Sequence, residues 1–290
     1  MRSIDPIFAY MGNKLAIADW IIPLFPPHKA YIEVFGGTAS ILLNKPRSKI
    51  EFYNDLNPHL SNLFEVIRTN KDGFLEQIKQ MPMDEYRYVQ FYNNHHDYSK
   101  GTSLENAVRY FYIMSLCFMG KYDGGFKWDY SEIYKYTLEK KERTISQIQD
   151  RLKHVVILNK TAFKVIEQLG KKKDSLLYLD PPYVGTEGYY EFLAGNWDET
   201  DHTKLRDALG KINGNFFLSY ENDELINDLY GRDFYFLHKK KHRSGQASQK
   251  SGGGLGYAEE IVVTNYQEPN TLFSYEQMGE VKTKDVYRKK

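Results

Sequence analysis

An acid, two prolines and an aromatic residue follow directly on an apolar run in the second half of the chain. The run Ser175–Leu179 is typical of a buried strand, and Asp180, Pro181, Pro182 and Tyr183 come immediately after it. Because proline cannot continue a sheet ladder, the strand must end there, which places Asp180 at its carboxyl end. Ligands of open α/β sheets bind outside such ends. The Asp180 carboxylate and a proline carbonyl would accept the two hydrogens of a flat amine, and Tyr183 would stack on its ring. An ordinary proline-rich turn is the competing interpretation.

Two other strand ends carry residues that suit a nucleotide-like ligand. An apolar strand over 30–35 runs into Gly36 and Gly37 and then into a helix. Glycines let a backbone approach a ligand closely, and free amides at a helix start favour an acceptor, although the full dinucleotide fingerprint is absent. The next strand ends at Asp55, about 20 residues further on, where an acid typically binds ribose hydroxyls. Asn57 is also a good helix cap, so part of this turn is structural.

Basic residues in two places have an open interpretation. Lys14 stands in the first turn of a helix that Asn13 can cap, although cations usually favour the other end of a helix. It has either an anionic partner or a solvated ammonium group. The run 238–243 consists entirely of Lys, Arg and His and is expected between closing strands at 234–237 and 260–264, followed by a loop to Gly256. Such a run either grips phosphates or is solvated.

Strand and helix patterns alternate at both ends of the chain but not in its middle. Between 70 and 153 the sequence predicts helices over 72–80, 84–93, 104–118 and 145–152, with a hairpin or tight loop over 118–128. This segment is interpreted as an inserted subdomain that interrupts a catalytic domain of 1–69 and 154–269. Residues 270–290 form a polar, basic tail. His95, His96 and Asp97 lack a second ligand cluster, so a solvated loop is favoured there over a metal site.

Composition limits the class of protein. The chain has 290 residues, a formal net charge of +1 and 41% hydrophobic residues, enough for one large or two small domains. The balanced charge gives no global case for nucleic acid, so charge must be judged locally. The single Cys117 excludes a disulfide framework and a thiolate metal cluster. Without an apolar span or signal region, a soluble cytosolic protein is expected.

The order of these pieces resembles the Dam-like family of DNA adenine-N6 methyltransferases, the D12 class. The resemblance extends over about residues 7–266. It depends on five motifs in family order, which are Tyr10–Lys14, Glu33–Gly37, Asp55–Asn57, Asp180–Tyr183 and Glu259–Tyr266. The resemblance implies an α/β fold with a Rossmann-like class I methyltransferase sheet. It also implies that the inserted, mainly helical segment 70–153 is the subdomain that recognises DNA.

The same resemblance implies S-adenosyl-L-methionine as methyl donor, S-adenosyl-L-homocysteine as product, and no metal. Tyr10 and Lys14 would contact the cofactor from the N-terminal segment, and Asp55 would bind its ribose hydroxyls. Phe163 would pack near its adenine. Asp180 would touch both cofactor and target. The methionine part would be surrounded by Glu33, Phe35, Gly36 and Gly37.

The substrate implied is the N6 amine of an adenine flipped out of double-stranded DNA, because the base is out of reach inside a duplex. Catalysis would depend on Asp180, Pro181, Pro182 and Tyr183. Candidates for contact with DNA or the target base are Lys121, Tyr122, Tyr190, Phe192, Lys240 and Arg243. A cognate restriction endonuclease is a further candidate partner, in the cytoplasm of a prokaryotic or phage-infected cell. The alternatives are the same chemistry on RNA adenine or another planar amine, and a non-catalytic binding module that kept the fold.

Three departures from the family pattern bear on these expectations. Thr38 and Ala39 stand where many relatives keep another glycine, which would shift the fit around the methionine part. Ala162 precedes Phe163 where an acid is frequent, so a hydrogen bond to the cofactor adenine would be missing. The stretch 118–128 only loosely resembles the hairpin of members that read GATC, and the recognition sequence is therefore left open.

Overall fold

A computed structural model describes most of the chain. The described residues are 3–82, 84–94, 101–117, 125–126, 131–186, 197–231, 236–243 and 257–266. They group into two compact units, of which the first comprises 1–19 and 36–160 and the second 20–35 and 161–290. The chain passes from the second unit to the first at the peptide bond between Phe35 and Gly36, inside the predicted glycine turn. The predicted division into a catalytic domain and an insert stays a prediction.

Strands and helices alternate as an α/β fold requires. The strands are β1 (Ala30–Glu33), β2 (Ile50–Asn54), β3 (Val155–Leu158), β4 (Ser175–Leu179), β5 (Asn215–Glu221), β6 (Phe236–Arg243) and β7 (Tyr257–Thr264). The helices are α1 (Ala18–Ile21), α2 (Ser40–Asn44), α3 (Pro58–Gln80), α4 (Glu85–Asn93), α5 (Ser103–Leu116), α6 (Ser131–Leu152), α7 (Ala162–Leu169), α8 (Glu199–Leu209) and α9 (Glu224–Tyr230). Short 3₁₀ turns flank α1 at Leu15–Ile17 and Ile22–Leu24.

The second unit contains a mostly parallel sheet with the strand order β1-β4-β5-β7-β6. Strand β4 pairs in parallel with β1 and β5, whereas β7 runs antiparallel to both β5 and β6. All five residues of β4 are buried, which explains why that strand is apolar without alternation. In the first unit β2 and β3 form a parallel pair. Parallel strands with an antiparallel β7 are the arrangement of a Rossmann-like class I methyltransferase sheet, so the predicted fold class is confirmed.

The described residues between β2 and β3 are mainly helical, as predicted, but two helix bounds were wrong. Helix α3 begins directly after Asn57, whose side chain accepts a hydrogen bond from the His59 amide at 2.9 Å. It runs to Gln80 with one non-helical residue, Asn70, so the helix predicted at 72–80 is its second half. Helix α6 begins at Ser131, well before the predicted 145. None of the described helices is long and apolar enough to cross a membrane.

The basic run 238–243 does not lie between two strands, as predicted, but inside one. Strand β6 extends from Phe236 to Arg243, and its whole length pairs with β7, from Phe236 opposite Thr264 to Arg243 opposite Tyr257. Tertiary pairing therefore overrides the low strand propensity of the basic residues. The strand order places β6 at the edge of the sheet. Lysine on an edge strand opposes unwanted pairing with other chains.

Candidate active site

The glycine turn after β1 is fixed by a tyrosine from β2. The Gly36 amide donates to the Asn54 carbonyl at 2.7 Å, and the Tyr53 hydroxyl donates to the Gly37 carbonyl at 2.8 Å. A Cβ on Gly36 would lie 2.1 Å from the Tyr53 ring, and Gly37 has a φ of +48°. Side chains are therefore excluded at Gly36 by contact and disfavoured at Gly37 by backbone conformation.

Asp55 ties the same turn to the end of β2. One carboxylate oxygen, Oδ2, accepts from the Gly37 amide at 2.7 Å, and the other, Oδ1, accepts from the Asn57 amide at 2.8 Å. Burial raises the pKa of Asp55 to about 6, although these two hydrogen bonds act in the opposite direction. Asn57 caps α3, so the acid and the helix cap predicted in this turn are different residues with different partners.

Asn13 joins the N-terminal segment to the glycine turn. Its amide nitrogen donates to Thr38 Oγ1 at 2.9 Å, and its Oδ1 accepts from Ser40 Oγ at 3.0 Å. The same oxygen accepts from the Leu15 amide at 2.7 Å. The cap position of the 3₁₀ turn Leu15–Ile17 is nevertheless Lys14, without a side-chain capping bond, so the cap predicted at Asn13 was placed one residue too early. The sequence indicated only the cap. The contacts with Thr38 and Ser40 need residues 25 and 27 positions away and have no local signal.

Lys14 and Tyr10 lie beside this turn in the first unit. Lys14 is buried, with 8% of its surface exposed, and its Nζ donates to the Gly12 carbonyl at 3.0 Å. The alternative of a solvated lysine is therefore wrong. The Tyr10 ring lies over Gly37, where an added Cβ would approach it to 3.5 Å.

Ala39 adopts a left-handed conformation with φ 58° and ψ 30°, immediately before α2 begins. Among the described residues other than glycine it is the one with a positive φ. It is one of the two positions where the sequence departs from the glycine of many relatives. Since an L side chain pays a conformational penalty in this region, the departure is accommodated with local strain.

In the second unit, a chain of hydrogen bonds leads from β5 to Asp180. The Ser219 hydroxyl donates to Glu260 Oε1, and Tyr183 lies within hydrogen-bond distance of both acids. Its hydroxyl is 2.6 Å from Glu260 Oε1 and 3.0 Å from Asp180 Oδ1. Ser219 is completely buried and Glu260 nearly so. Three strands, β4, β5 and β7, thus hold the Asp180 side chain through the turn that follows β4.

The turn after β4 also fixes Tyr183 through its own backbone. The Tyr183 amide donates to Thr186 Oγ1 at 3.2 Å, and the Thr186 amide donates to the Tyr183 carbonyl at 2.9 Å. The Tyr183 ring packs against Tyr220, with centroids 5.6 Å apart. Burial and the charges of Asp180 and Glu260 hold the pKa of Tyr183 well above its usual range. The phenol therefore keeps its hydrogen and acts as a donor.

Negative charge collects around another phenol in the same unit. Burial, followed by the charges of Asp180, Glu33 and Glu260, holds the pKa of Tyr178 well above its usual range. Glu33 is 2% exposed and accepts from the Tyr31 hydroxyl at 2.7 Å. Glu33 at the end of β1, Asp180 after β4 and Glu260 within β7 therefore all act on the Tyr178 phenol.

Three aromatic rings form a separate cluster in the second unit. Trp197 lies parallel to Phe163, with an interplanar angle of 3° and centroids 5.9 Å apart, and meets Phe35 edge-on at 5.4 Å. The Trp197 ring nitrogen donates to His202 Nδ1 at 3.4 Å. His202 Nδ1 also lies 2.8 Å from the Tyr220 hydroxyl. Phe35 and Phe163 were predicted site residues. Trp197 was missed, because one tryptophan in a polar stretch carries no motif.

The structure brings predicted site residues together within each unit. In the first unit, the Gly37 amide donates to Asp55, and the Tyr10 ring lies near Gly37. In the second, Asp180 contacts Tyr183 directly, and Phe35 and Phe163 meet through Trp197. Among the described residues no three His, Cys, Asp or Glu side chains group as a metal site would.

The comparison with known families decides the classification. The sequence profile described as "D12 class N6 adenine-specific DNA methyltransferase" matches residues 10–245. The chain belongs to this family. The match includes the glycine turn, Asp55 and the Asp180–Tyr183 motif, and the family predicted from the five sequence motifs is confirmed.

Individual D12-class relatives are distant in sequence. The chain is 27% identical over 201 residues to a DNA adenine methylase of Haemophilus influenzae, covering 66% of this chain and 68% of that protein. It is 25% identical over 255 residues to the retron Ec67 DNA adenine methylase of Escherichia coli, covering 83% and 85%. It is 21% identical over 283 residues to modification methylase StsI of Streptococcus sanguinis, where it covers 89% of this chain. It spans only 42% of the length of StsI.

Several predicted contacts of this D12-class chain fall on residues beyond the described ranges. They are Lys121, Tyr122, Tyr190 and Phe192, together with the loop at His95, His96 and Asp97. Lys240 and Arg243 lie on β6, opposite Glu260 and Tyr257 of β7. Their side chains are outside the described part, so their contact with DNA stays a prediction.

Proposed function

We propose that this chain transfers a methyl group from S-adenosyl-L-methionine to the N6 amine of an adenine in double-stranded DNA. The observation that carries the proposal is Asp180, which lies at the end of a buried strand and is held by the Tyr183 hydroxyl at 3.0 Å. The motif that contains both residues lies within the D12-class match. When bound, the cofactor supplies a methyl group activated by a sulfonium.

The residues of each unit have the chemistry that such a cofactor needs. The Asp55 carboxylate is an acceptor for two ribose hydroxyls, next to a glycine turn whose backbone a ligand can approach. Phe163 and Trp197 offer ring faces to a purine. Glu33 is a buried acid that suits the ammonium group of the methionine part. Tyr10 and Lys14 would complete the contacts from the N-terminal segment.

Asp180 and the Pro181 carbonyl would act on the target amine. The amine is a poor nucleophile because its lone pair is delocalised into the adenine ring. Hydrogen bonds from both its hydrogens to these two acceptors favour a pyramidal nitrogen with a localised lone pair. The nitrogen lone pair would then attack the methyl carbon in line with the bond from that carbon to sulfur, and S-adenosyl-L-homocysteine would leave with the electron pair of that bond. Asp180 need not take the proton in the transition state. Most of the rate enhancement comes from positioning and electrostatics.

The adenine must leave the duplex to reach these acceptors. Tyr183 would stack on the flipped base, with Tyr190 or Phe192 as a second wall, and Pro182 would keep the turn rigid. Lys121 and Tyr122 of the helical segment, and Lys240 and Arg243 of β6, are the proposed contacts with DNA. Six consecutive basic residues on an edge strand support a phosphate-binding role for β6.

The relatives suggest a biological setting in which a modification enzyme protects DNA. StsI is named a modification methylase, and the retron relative a DNA adenine methylase. We extend to this chain a role in the cytoplasm of a prokaryotic or phage-infected cell. A cognate restriction endonuclease is the corresponding partner, and a phage or regulatory role is the alternative.

A transfer assay with purified protein tests the proposed activity. Methyl-labelled S-adenosylmethionine is offered with unmethylated double-stranded DNA, single-stranded DNA or RNA. We expect label on adenine N6 of double-stranded DNA, no label with Asp180→Ala, and normal transfer with Asp174→Ala. Asp174 is a matched control because it precedes the same strand, is exposed and pairs with Lys29 at 2.6 Å. Label on RNA alone would move the substrate to the RNA alternative, and cofactor binding without transfer to any acceptor would favour a binding module.

A further inference from the structure

Glu260 lies next to the catalytic motif without belonging to it. It is 2% exposed, it comes from β7, and its Oε1 accepts from Ser219 and Tyr183. Its distance of 77 residues from Tyr183 hides this relation in the sequence. In the sequence, Glu260 is part of the motif Glu259–Tyr266, which indicates the family but no role for Glu260 itself.

The Tyr183 hydroxyl hydrogen is directed at Glu260. The phenol has one hydrogen and two neighbouring acids, with Glu260 Oε1 at 2.6 Å and Asp180 Oδ1 at 3.0 Å. The shorter contact takes the hydrogen. The lone pairs of the Tyr183 oxygen then point at Asp180. The contact between Tyr183 and Asp180 is therefore most favourable when the Asp180 carboxyl is protonated and donates its hydrogen to the Tyr183 oxygen.

Methyl transfer releases one proton. As the amine nitrogen forms its bond to the methyl carbon and the bond from that carbon to sulfur breaks, the nitrogen becomes positively charged and must lose a hydrogen. Asp180 accepts this proton after the bond has formed. The new O–H of Asp180 can donate to the Tyr183 oxygen, because the hydrogen of Tyr183 remains bonded to its own oxygen and points at Glu260.

We propose that Glu260 is a positioning residue of methyl transfer, which holds the Tyr183 hydrogen away from Asp180 so that Asp180 can receive the proton of the target amine. The Ser219 hydroxyl donates to the same oxygen, Glu260 Oε1, and helps to fix the carboxylate. Without Glu260, Tyr183 turns its hydrogen to Asp180, where it competes with the amine for the carboxylate. This inference depends on the methyltransferase activity proposed above.

The neighbouring acid on the same strand provides a matched control. Successive side chains of a strand point to opposite faces. Glu259 accordingly has a different partner, accepting from Asn222 Nδ2 at 2.6 Å. Glu259→Ala removes a carboxylate from β7 without touching Tyr183, so it reports the structural cost of a change at this strand.

The test measures kcat and the affinities for cofactor and DNA separately, with methyl-labelled S-adenosylmethionine and unmethylated genomic DNA. We expect Glu260→Ala to lower kcat about 10- to 100-fold, as loss of a charge-assisted hydrogen bond does. Both Kd values should stay within about threefold, since the binding contacts are kept. Glu260→Gln keeps an oxygen acceptor for Tyr183 and should restore kcat to within about fivefold of wild type. Glu259→Ala should retain wild-type kcat.

A double-mutant cycle with Tyr183→Phe separates positioning from packing. If Glu260 acts only through the Tyr183 hydroxyl, the double variant Tyr183→Phe, Glu260→Ala should be no slower than Tyr183→Phe alone, within about threefold. Multiplied losses in the double variant, or an unchanged kcat in Glu260→Ala, would overturn the inference. Equal losses in Glu259→Ala and Glu260→Ala would do so too. A wild-type protein without transfer would instead refute the proposed function.

Discussion

Two buried glutamates on strands of this protein have different hydrogen-bond donors. Glu51 of β2 is 4% exposed and receives two guanidinium nitrogens of Arg151, at 2.5 and 2.9 Å, and Lys45 Nζ at 2.7 Å. Glu260 of β7 is equally buried and receives the hydroxyls of Ser219 and Tyr183. Glu51 is paired with cations, and Glu260 is linked through a phenol to the motif for which we propose a catalytic role.

The difference separates a structural acid from one that we propose to act in methyl transfer. Burial pushes the pKa of Glu51 upward, but hydrogen bonds from Arg151, Lys45 and the Ser48 amide outweigh it and lower the pKa to about 2. That charge is locked and joins β2 to α6. Glu260 instead accepts from two hydroxyls, and one of these, that of Tyr183, also lies 3.0 Å from Asp180 Oδ1. Burial alone therefore does not distinguish these two acids, whereas their hydrogen-bond donors do.

Among the substitutions that test this difference, the largest expected effect is the loss of stability on replacing Glu51. Glu51→Ala would leave Arg151 and Lys45 buried without their carboxylate, so the free energy of unfolding should fall by about 3–5 kcal/mol. Glu260→Gln, which keeps a polar group of the same shape, should cost less than about 1.5 kcal/mol. Urea unfolding followed by circular dichroism measures both. Similar losses for the two variants would show that Glu260 is as structural as Glu51.

Acid should act on Glu51 in a defined window. Its folded pKa of about 2 lies below its ordinary value of 4.5, so its contribution is complete above about pH 4.5 and is lost as pH falls toward 2. The shift corresponds to about 3 kcal/mol. Unfolding curves of wild type and Glu51→Gln at several pH values should converge across this window. Parallel curves would mean that the ion pairs do not stabilise the fold.

The pKa of Asp55 is shifted upward, opposite to that of Glu51, so its protonation should affect the protein at milder pH. Because burial raises its folded pKa to about 6, the folded protein takes up a proton there as pH falls, and a protonated Asp55 loses an acceptor for ribose hydroxyls. The Kd for S-adenosylmethionine should therefore rise up to about tenfold per pH unit below 6. In Asp55→Asn, binding should be weak and independent of pH over this range. Calorimetry that finds the same pH dependence in both proteins would exclude Asp55 as its source.

The smallest expected effect concerns the glycine turn. Ala39→Gly relieves the left-handed strain but loses a buried methyl group and makes the unfolded chain more flexible, so the free energy of unfolding should change by less than about 1 kcal/mol. Ala107→Gly, at an equally buried position inside α5, should cost about 1–2 kcal/mol. Equal costs at both positions would show that Ala39 is not strained.

Local patterns were enough to find the strand ends that carry the candidate site. Prolines force β4 to end before Asp180, and glycines mark the turn after β1. Both features can therefore be predicted from neighbouring residues in the sequence. Asp55 follows from its position after the next strand. These three predictions required no knowledge of which strands are neighbours.

Relations across the sheet could not be predicted. Glu260 reaches Tyr183 only because β7 pairs with β5, which is a contact between distant segments. The same pairing converts the basic run 238–243 into a strand, although its own residues lack the alternation of one. The contact of Trp197 with Phe35 likewise joins residues that are 162 positions apart, so no local pattern predicts it.

The most direct test of the proposed activity is a base-by-base reading, at single-molecule resolution, of genomic DNA from cells that express this chain. Cells that lack adenine methylation of their own serve as hosts, and Asp180→Ala is expressed in parallel. We predict N6-methyladenine confined to one short motif with the wild-type chain and none with the variant. Unmodified adenine throughout, while the purified wild-type protein binds S-adenosylmethionine, would contradict the account and favour RNA or another amine as acceptor.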